Sequence, residues 1–453
     1  MGQTLSRKTL LSYGLGSFTP TVANEFCGAF LLLFYTELAG LDPIWVGYAL
    51  FVRMWVDALV DPAIGFLSDR TRLRSGRRRP FFLIGGLPGL VCFLLTFCSP
   101  TENVAFKLTY LTVLSALTAV FLSLNAIPHM ALAFEMSDDA RERTRLVGYR
   151  SCVESAASLL ALLSGPIVLE AQGQTLLGHV MSRADCYRAA AAVLVLIGVV
   201  SSVIAYLGTH ERLCPHQETR YGFVQGVKDA LRNRVFRSLL LIYVALVIAN
   251  RVALAQLFLL LEHFHGLKEE QTIPLLLSFY IGALISVPAW IVIGVRWGRE
   301  QTVLGAMLCW PMTYVFLTSA RWSMLLLCGD SFLMGASFAG VMTMLGAIAP
   351  EALDYDRKVS GLRREGLYAS VINLVFATWA GAVGLAAGVV LQLIDFAAEL
   401  SLRGDPRRFA MVSGRISGSV RISWHSSLLL NLSDQRVANL SRLKQRKHRM
   451  NET

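Results

Sequence analysis

Three charged residues interrupt an apolar stretch of the chain at intervals of four residues: Arg53, Asp57 and Asp61 in RMWVDALVDP. Four residues is close to one helical turn, so in a helix all three lie on one face. A charged side chain in mid-membrane costs about 2.5–3.5 kcal/mol on insertion scales, so three such charges need a function. Two carboxylates one turn apart can supply oxygen ligands for Na⁺ or carry a proton.

The composition is that of a membrane protein. Of 453 residues, 54% are hydrophobic and only 16% are charged, whereas soluble domains carry about a quarter charged residues. Continuous apolar runs of about 20 residues recur along the chain and predict an all-α membrane protein rather than a β-barrel. The predicted spans are 10–38, 43–67, 81–99, 106–133, 149–171, 185–208, 235–262, 270–294, 301–319, 322–348 and 366–394.

The net charge of +11 reflects orientation in the membrane. Loops after the second, fourth, sixth, eighth and tenth spans hold most of the lysines and arginines, which predicts a cytoplasmic N-terminus and middle loop. We therefore expect a lipid bilayer and a small-molecule solute as partners, no nucleic acid, and a monomer. No nucleophile–base pair, phosphate loop or metal-ligand set occurs at a meaningful spacing, so we expect neither an enzyme nor a metal site.

The two halves of the chain repeat each other. The segment VANEFCGAFLLLFYTELAGL (22–41) aligns without a gap to IANRVALAQLFLLLEHFHGL (248–267). Such repeats are typical of transporters that expose a midplane site alternately to each side. Asn24 aligns with Asn250, and the next residues are Glu25 and Arg251. These opposite charges are predicted to face each other across a central cavity, either beside the solute or as a plain ion pair between the halves.

Four motifs resemble the major facilitator superfamily, and within it the glycoside–pentoside–hexuronide:cation symporter family. They are YGLGSF with LLLFYTELAGL, DALVDPAIGFLSDRT with GRRRPF, IPHMALAFEMSDDARERTRLVGYR, and DYDRKVSGLRREGLY, in the family's order between residues 13 and 368. The resemblance implies a major facilitator fold of two pseudo-symmetric six-helix bundles. We expect an N-terminal bundle at 1–208, a middle loop at 209–234 and a C-terminal bundle at 235–394 in which five helices are clear.

The resemblance implies that Asp57 and Asp61 bind the coupling cation or carry the proton, with the hydroxyl of Ser123 completing the site. Arg53, one turn earlier, is expected either to neutralise an aspartate after the cation leaves or to form a purely structural pair with it. Two family features are missing. Val60 replaces an amide-type residue of the sodium-coupled members, and Ala377 aligns with a common lysine. A proton needs a carboxylate but no cage of ligands, so these departures favour H⁺ over Na⁺ as the coupling ion. No other cofactor is expected.

The expected activity is cation symport of a sugar or a related polar solute, in a bacterial inner membrane. Thr21 and Ala126 stand where melibiose-type members carry sugar-binding carboxylates, so galactoside specificity is not expected. Alternatives are a symporter of an amphiphile, a lysolipid or an organic anion, and a transport-inactive sensor or scaffold. The candidate solute-binding residues are Glu25, Asn24, Arg150, Asn250, Arg251 and His129.

Charged residues in the loops predict a cytoplasmic gate that holds the two halves together, although a solvated basic loop that serves only orientation would have the same composition. The candidate gate residues are Asp69, Arg70, Arg77, Arg78, Glu135, Asp354, Asp356 and Arg363.

The basic tail 395–453 does not fit the twelve-helix pattern. It contains no apolar run of membrane length, and after eleven helices its positive charge would lie outside the cell, against the orientation rule. The tail is expected either to form a weak helix near 409–432 or to result from an altered reading frame. We favour the second interpretation.

Overall fold

The computed structural model describes residues 5–71, 73, 75–99, 103–137, 139–169, 175–176, 179–211, 223–259, 273–319, 322–360, 365–375 and 378. Some of these residues are described by their backbone alone: 166–169, 175–176, 179, 223–224, 247, 250–259, 273, 318, 352, 357 and 359–360. The predicted tail 395–453 lies outside the described residues. In the described part of the chain, six helices are long and apolar enough to cross a membrane.

The first half contains eight helices in the described residues. They are α1 (Arg7–Leu15), α2 (Phe18–Leu33), α3 (Pro43–Arg70), α4 (Phe81–Ile84), α5 (Gly86–Thr96), α6 (Val104–Met136), α7 (Ala140–Leu169) and α8 (Arg183–Gly208). A π-helical turn, Phe34–Leu38, follows α2, and a short antiparallel hairpin pairs β1 (Thr175–Leu176) with β2 (His179–Val180).

The second half begins with the short α9 (Phe223–Arg232) inside the predicted middle loop, a helix that the sequence reading missed. Its Ala230 is fully buried against the core. The helices α10 (Arg234–Leu259), α11 (Ile273–Trp297), α12 (Arg299–Ser319), α13 (Met324–Ser360) and α14 (365–375) follow. These helices coincide with the predicted apolar spans, the last of which is described only to residue 375 and at 378.

Two helices extend well beyond their predicted spans. The helix α7 begins at Ala140 instead of 149, and α13 continues to Ser360 instead of ending at 348. The added turns are polar, and they carry a contact between the halves, because Arg143 Nη1 on α7 donates to Asp354 Oδ2 on α13 at 2.7 Å. Hydrophobicity locates the part of a helix inside the membrane, so it underestimates helices that continue into the charged layer.

The halves meet along two sets of helices. On one side α7 packs against α11 and α13. On the other, α3 and α6 pack against α14, where Ala369 joins Ile64, Ile127 and Ala131 in a small buried apolar cluster. The end of the bundle at which α3 terminates is here called the basic end, because the loop GRRRP follows it.

Candidate functional site

The charged face of α3 carries a pair of carboxylates next to α6. Ser123 Oγ on α6 donates to Asp57 Oδ1 at 2.8 Å. Asp61 lies one turn further along α3 and is only 3% exposed, and its Oδ1 has no hydrogen-bond partner among the described residues. An ionised carboxylate in that position is costly unless a proton or a cation neutralises it. The structure thus brings together three of the four residues predicted for ion coupling.

A residue that the sequence reading missed comes from the other half. The side-chain amide of Asn373 on α14 faces the Asp61 carboxyl, as does the hydroxyl of Ser123. Asn373 lies one helical turn before Ala377, the position at which the family resemblance implied a lysine. The spacing of one helical turn from Ala377 is the sequence signal that would have identified Asn373. The pair of carboxylates therefore lies at a contact between the halves.

Arg53, the fourth predicted coupling residue, turns toward α2. Its Nη2 donates to Asn24 Oδ1 at 2.6 Å, while its charge remains close enough to Asp57 to interact electrostatically. Glu25, next to Asn24, lies within electrostatic range of the Tyr280 hydroxyl on α11 of the second half. The side chains of Asn250 and Arg251 lie outside the described part of the structure, so the pairing of Glu25 with Arg251 remains a prediction.

Arg150 has a carboxylate partner that the sequence reading overlooked. Its Nε donates to Glu154 Oε1 at 2.6 Å, one turn along α7. The hydroxyl groups of Tyr13 on α1 and Tyr243 on α10 lie within electrostatic range of this pair. Both charged side chains are half-buried rather than sealed. The spacing of four residues between Arg150 and Glu154 in GYRSCVES was the sequence signal for this ion pair. The pair presents a cation and an anion side by side, with tyrosines from both halves close to it.

His129 lies in helix packing and not on a free surface. It is 2% exposed, its Nε2 is 2.8 Å from the carbonyl oxygen of Tyr13, and its ring packs on the rings of Tyr13 and Phe82. A solute contact, as predicted from sequence, would require these helices to separate. Its described contacts instead join α6 to α1 and α4.

Five charged residues at the basic end form a buried cluster between the halves, which we call the latch: Asp69, Arg77, Arg78, Glu135 and Glu365. Arg78 is fully buried and donates through Nε to Glu135 Oε1 at 2.7 Å and through Nη2 to Asp69 Oδ1 at 2.8 Å. Arg77 Nη2 lies 3.1 Å from Glu365 Oε2 and 2.9 Å from Glu135 Oε1. Glu365, on α14, is the second half's contribution and was not among the predicted gate residues.

The start of α14 completes the latch through its backbone. Asp69 Oδ1 accepts the N–H of Gly366 at 2.9 Å, and Oδ2 accepts that of Leu367 at 3.2 Å. A carboxylate at a helix N-terminus satisfies unpaired N–H groups and interacts favourably with the helix dipole. The backbones approach closely here, because a Cβ on Gly366 would lie 2.5 Å from the Gly65 carbonyl oxygen. Glycine at both positions allows α3 and α14 to touch.

The structure describes three further predicted gate residues: Arg70, Asp354 and Asp356. Arg70 is exposed and its guanidinium lies over the ring of Phe66 at 4.2 Å. Asp354 pairs with Arg143 instead of with the latch. Asp356 is buried on α13, and Arg363 lies outside the described residues. Nearby, Arg299 pairs with Glu351.

The latch has more negative than positive groups. Its three carboxylates face two guanidinium groups. Burial raises the pKa of Glu365, and the charge of Glu135 raises it further, against the opposing effect of Arg78 and Arg77. Burial alone would lower the pKa of Arg78, but Glu135, Asp69 and Glu365 raise it above its usual range. Arg78 therefore stays charged, and Glu365 takes up a proton more readily than an ordinary glutamate.

The chain matches a known family over most of its length. The family model described as MFS/sugar transport protein matches residues 12–409. The putative glycoside/cation symporter YagG of Escherichia coli (strain K12) is 26% identical over 407 residues, which cover 88% of this chain and 85% of that protein. The sodium-dependent lysophosphatidylcholine symporter 1-A of Danio rerio is 24% identical over 415 residues, covering 85% and 77%.

Two bacterial relatives of higher identity align over a shorter region. They are 33% and 31% identical, but the chain spans only 32% and 36% of their lengths. Among solved structures, a bacterial homologue of the iron transporter ferroportin in an outward-facing state superposes with a TM-score of 0.61 at 14% identity, covering 86% of this chain and 93% of that one. That likeness concerns the fold alone.

Proposed function

Because the chain belongs to the MFS/sugar transport protein family, we propose that it couples the uptake of a sugar or a related polar solute to the entry of H⁺ by alternating access. Membrane transport of the symporter type follows from the family and the relatives. The solute, the ion and the residues that bind them are the proposal.

One observation carries the proposed ion site. Asp61 is almost fully buried with an oxygen that lacks a partner in the described structure, next to the Asp57–Ser123 pair and facing Asn373 of the other half. A group with these surroundings is stabilised by binding a proton and destabilised by losing it. Because Asn373 belongs to the second half, a change at Asp61 alters the contact between the halves, which is what coupling requires.

The solute is proposed to bind near Arg150 and Glu154. A cation and an anion 2.6 Å apart on one helix face can separate to bind a polar solute, donating through the guanidinium and accepting through the carboxylate. The half-burial of both groups leaves them accessible. This arrangement suits neutral sugars and sugar acids.

The latch is proposed to close the cytoplasmic side. We propose that this end and the N-terminus face the cytoplasm of a bacterial cell, with the protein in the inner membrane. The basic loops at this end support that orientation through the positive-inside rule. With the latch formed, a path to the ion site would open only toward the opposite, outer side. Reaching the inward-facing state requires the latch to break.

A second candidate combines Na⁺ with an amphiphilic solute. The named activity of the Danio rerio relative supports it, and so does the amide oxygen that Asn373 could supply to a metal ion. Four oxygen-bearing side chains would then surround the ion: Asp57, Asp61, Ser123 and Asn373. Na⁺ requires all of these oxygens in place, whereas H⁺ requires only one carboxylate.

Uptake by purified protein in proteoliposomes tests both candidates. A panel of radiolabelled sugars, sugar acids and lysophospholipids is offered with an inward H⁺ gradient or an inward Na⁺ gradient, imposed separately, and protein-free liposomes serve as the control. The proposal predicts accumulation of a sugar or sugar acid under the H⁺ gradient, with alkalinisation of the outside medium. Accumulation of a lysolipid under the Na⁺ gradient alone would replace it with the second candidate.

A further inference from the structure

In the described part of the chain, the carboxylate of Glu211 holds the backbone of the loop that carries the latch arginines. Glu211 lies three residues after the end of α8. Its Oε2 accepts the backbone N–H of Arg77 at 2.6 Å, and its Oε1 accepts those of Arg78 and Arg79 at 2.8 and 2.7 Å. Three successive backbone N–H groups that converge on one anion form a nest, a strong way to fix a loop conformation.

Two further contacts fix the loop on the same side. Arg79 donates through Nε and Nη2 to the carbonyl oxygen of Tyr206 at 3.1 and 2.6 Å. Gly76, just before the nest, has φ +124°, and a Cβ there would lie 2.7 Å from Glu211 Oε1. Both the backbone conformation and the space therefore favour glycine at this position.

The nest determines where the arginine side chains point. With the backbone N–H groups of Arg77 and Arg78 directed at Glu211, their side chains reach Asp69 and Glu135 of the first half and Glu365 of the second. All three hydrogen bonds of Glu211 go to the backbone, so this carboxylate organises the latch without belonging to its ion pairs.

We propose that Glu211 is a positioning residue of the latch, whose carboxylate holds the backbone of residues 77–79 so that Arg77 and Arg78 can bridge the two halves. This inference rests on the proposed role of the latch in alternating access. It extends that role to the start of the segment between the halves, since the chain that leaves α8 directly controls the latch loop.

The test measures the separation of the halves at the basic end. Spin labels are placed at Lys8 on α1 and Tyr355 on α13, both exposed, through an unnatural amino acid so that the eight native cysteines remain. Distances are measured by double electron–electron resonance on the full chain in lipid nanodiscs. Glu211→Gln keeps the shape of the side chain and removes its charge, and Glu300→Gln, an exposed carboxylate at the same end, is the matched control.

The expected result is a new longer-distance population in Glu211→Gln, with the ratio of latched to unlatched molecules falling about tenfold, while Glu300→Gln matches the parent. Gly76→Ala, which disturbs the nest without changing charge, should act in the same way. Combining it with Glu211→Gln should add little, because both changes disrupt the same contact. A residue with a merely structural role would lower the midpoint of thermal unfolding without lengthening the distance.

An Arg78→Ala variant separates the role of the latch in holding the halves together from the role of Glu211 in positioning the latch. If Arg78→Ala lengthens the distance and folded Glu211→Gln does not, the positioning role is overturned and the latch stands. If neither variant lengthens it, the latch itself fails, and the positioning role with it. Should Glu211→Gln not fold, Glu211→Asp, shorter by one methylene, should show an intermediate shift, and a parent-like distribution there would overturn the inference.

Discussion

Replacing Arg78 by alanine should open the basic end of the protein. Arg78 is fully buried and donates to Glu135, Asp69 and Ser68 at 2.7, 2.8 and 3.1 Å. Removing one partner of a buried ion pair costs about 3–5 kcal/mol, because the other charge is left uncompensated. In the unlatched state water can solvate those carboxylates, so most of this cost falls on the latched state.

We therefore expect the latched state to lose about 3 kcal/mol relative to the unlatched state, which is roughly a 100-fold change in their ratio. The readout is alkylation of a cysteine introduced by Ser370→Cys, in a background whose native cysteines are replaced. Ser370 is fully buried on α14 next to Gly65, under the latch. A membrane-impermeant maleimide should react about 100-fold faster in Arg78→Ala than in the parent background.

Arg141→Ala provides the matched control, since Arg141 is an exposed arginine in the first turn of α7 whose described hydrogen bond is made by its backbone N–H. Its removal should change the alkylation rate less than threefold, as expected for an exposed charge. Equal rates in Arg78→Ala, Arg141→Ala and the parent, all folded, would refute the reasoning that the buried ion pairs hold the halves together.

Three further changes test the latch and the ion site. Gly366→Ala puts a Cβ 2.5 Å from the Gly65 carbonyl oxygen. Overpacking should destabilise the latched state by about 1–3 kcal/mol, which predicts about 5- to 150-fold faster alkylation at position 370. A parent-like rate would contradict the close contact. The pKa of Glu365 is raised in the latched state, so its contribution to latching is full at acid pH and is lost as the pH rises through that raised value. The spin-label distance should therefore lengthen with rising pH in the parent and stay constant with pH in Glu365→Gln. A pH profile in Glu365→Gln that matches the parent would exclude Glu365 as the titrating group. Asn373→Ala should lower the H⁺ concentration for half-maximal uptake about tenfold, because losing a hydrogen bond that stabilises the ionised carboxylate of Asp61 favours binding of the proton. An unchanged H⁺ dependence would remove Asn373 from the site.

The sequence predicted the parts of the site that lie within a single helix or loop. The spacing of Asp57 and Asp61 showed that they share a face of α3, and the hydroxyl implied by the family resemblance, that of Ser123 on α6, does contact Asp57. Asp69, Arg77, Arg78 and Glu135 belong to motifs with alternating charge, and the structure brings all four together.

The contributions of the second half were harder to predict. In GLRREGLY the residue predicted for the gate is an arginine, Arg363. The described part of α14 begins at Glu365, and the rotation of the helix about its axis from that point turns Glu365 and Asn373 toward α3. That rotation depends on where the helix starts, which hydrophobicity does not resolve. His129 illustrates the opposite error, because its partner is the backbone carbonyl of Tyr13, an acceptor that every residue carries and no motif reveals.

The most direct test of ion coupling compares two kinds of transport by Asp61→Asn in proteoliposomes, with whichever solute the uptake panel identifies. Counterflow, the exchange of labelled for unlabelled solute, needs the conformational change but no ion gradient, whereas uphill uptake needs the gradient. Asp42→Asn, at the start of the same helix, is the control, since Asp42 caps α3 by accepting the Ile44 N–H and asparagine caps equally well.

We predict that Asp61→Asn retains counterflow and loses H⁺-driven accumulation and solute-induced proton movement, while Asp42→Asn retains all three. Accumulation by Asp61→Asn against a gradient as strong as that of the parent would contradict the assignment of Asp61 as the residue that carries the coupling ion.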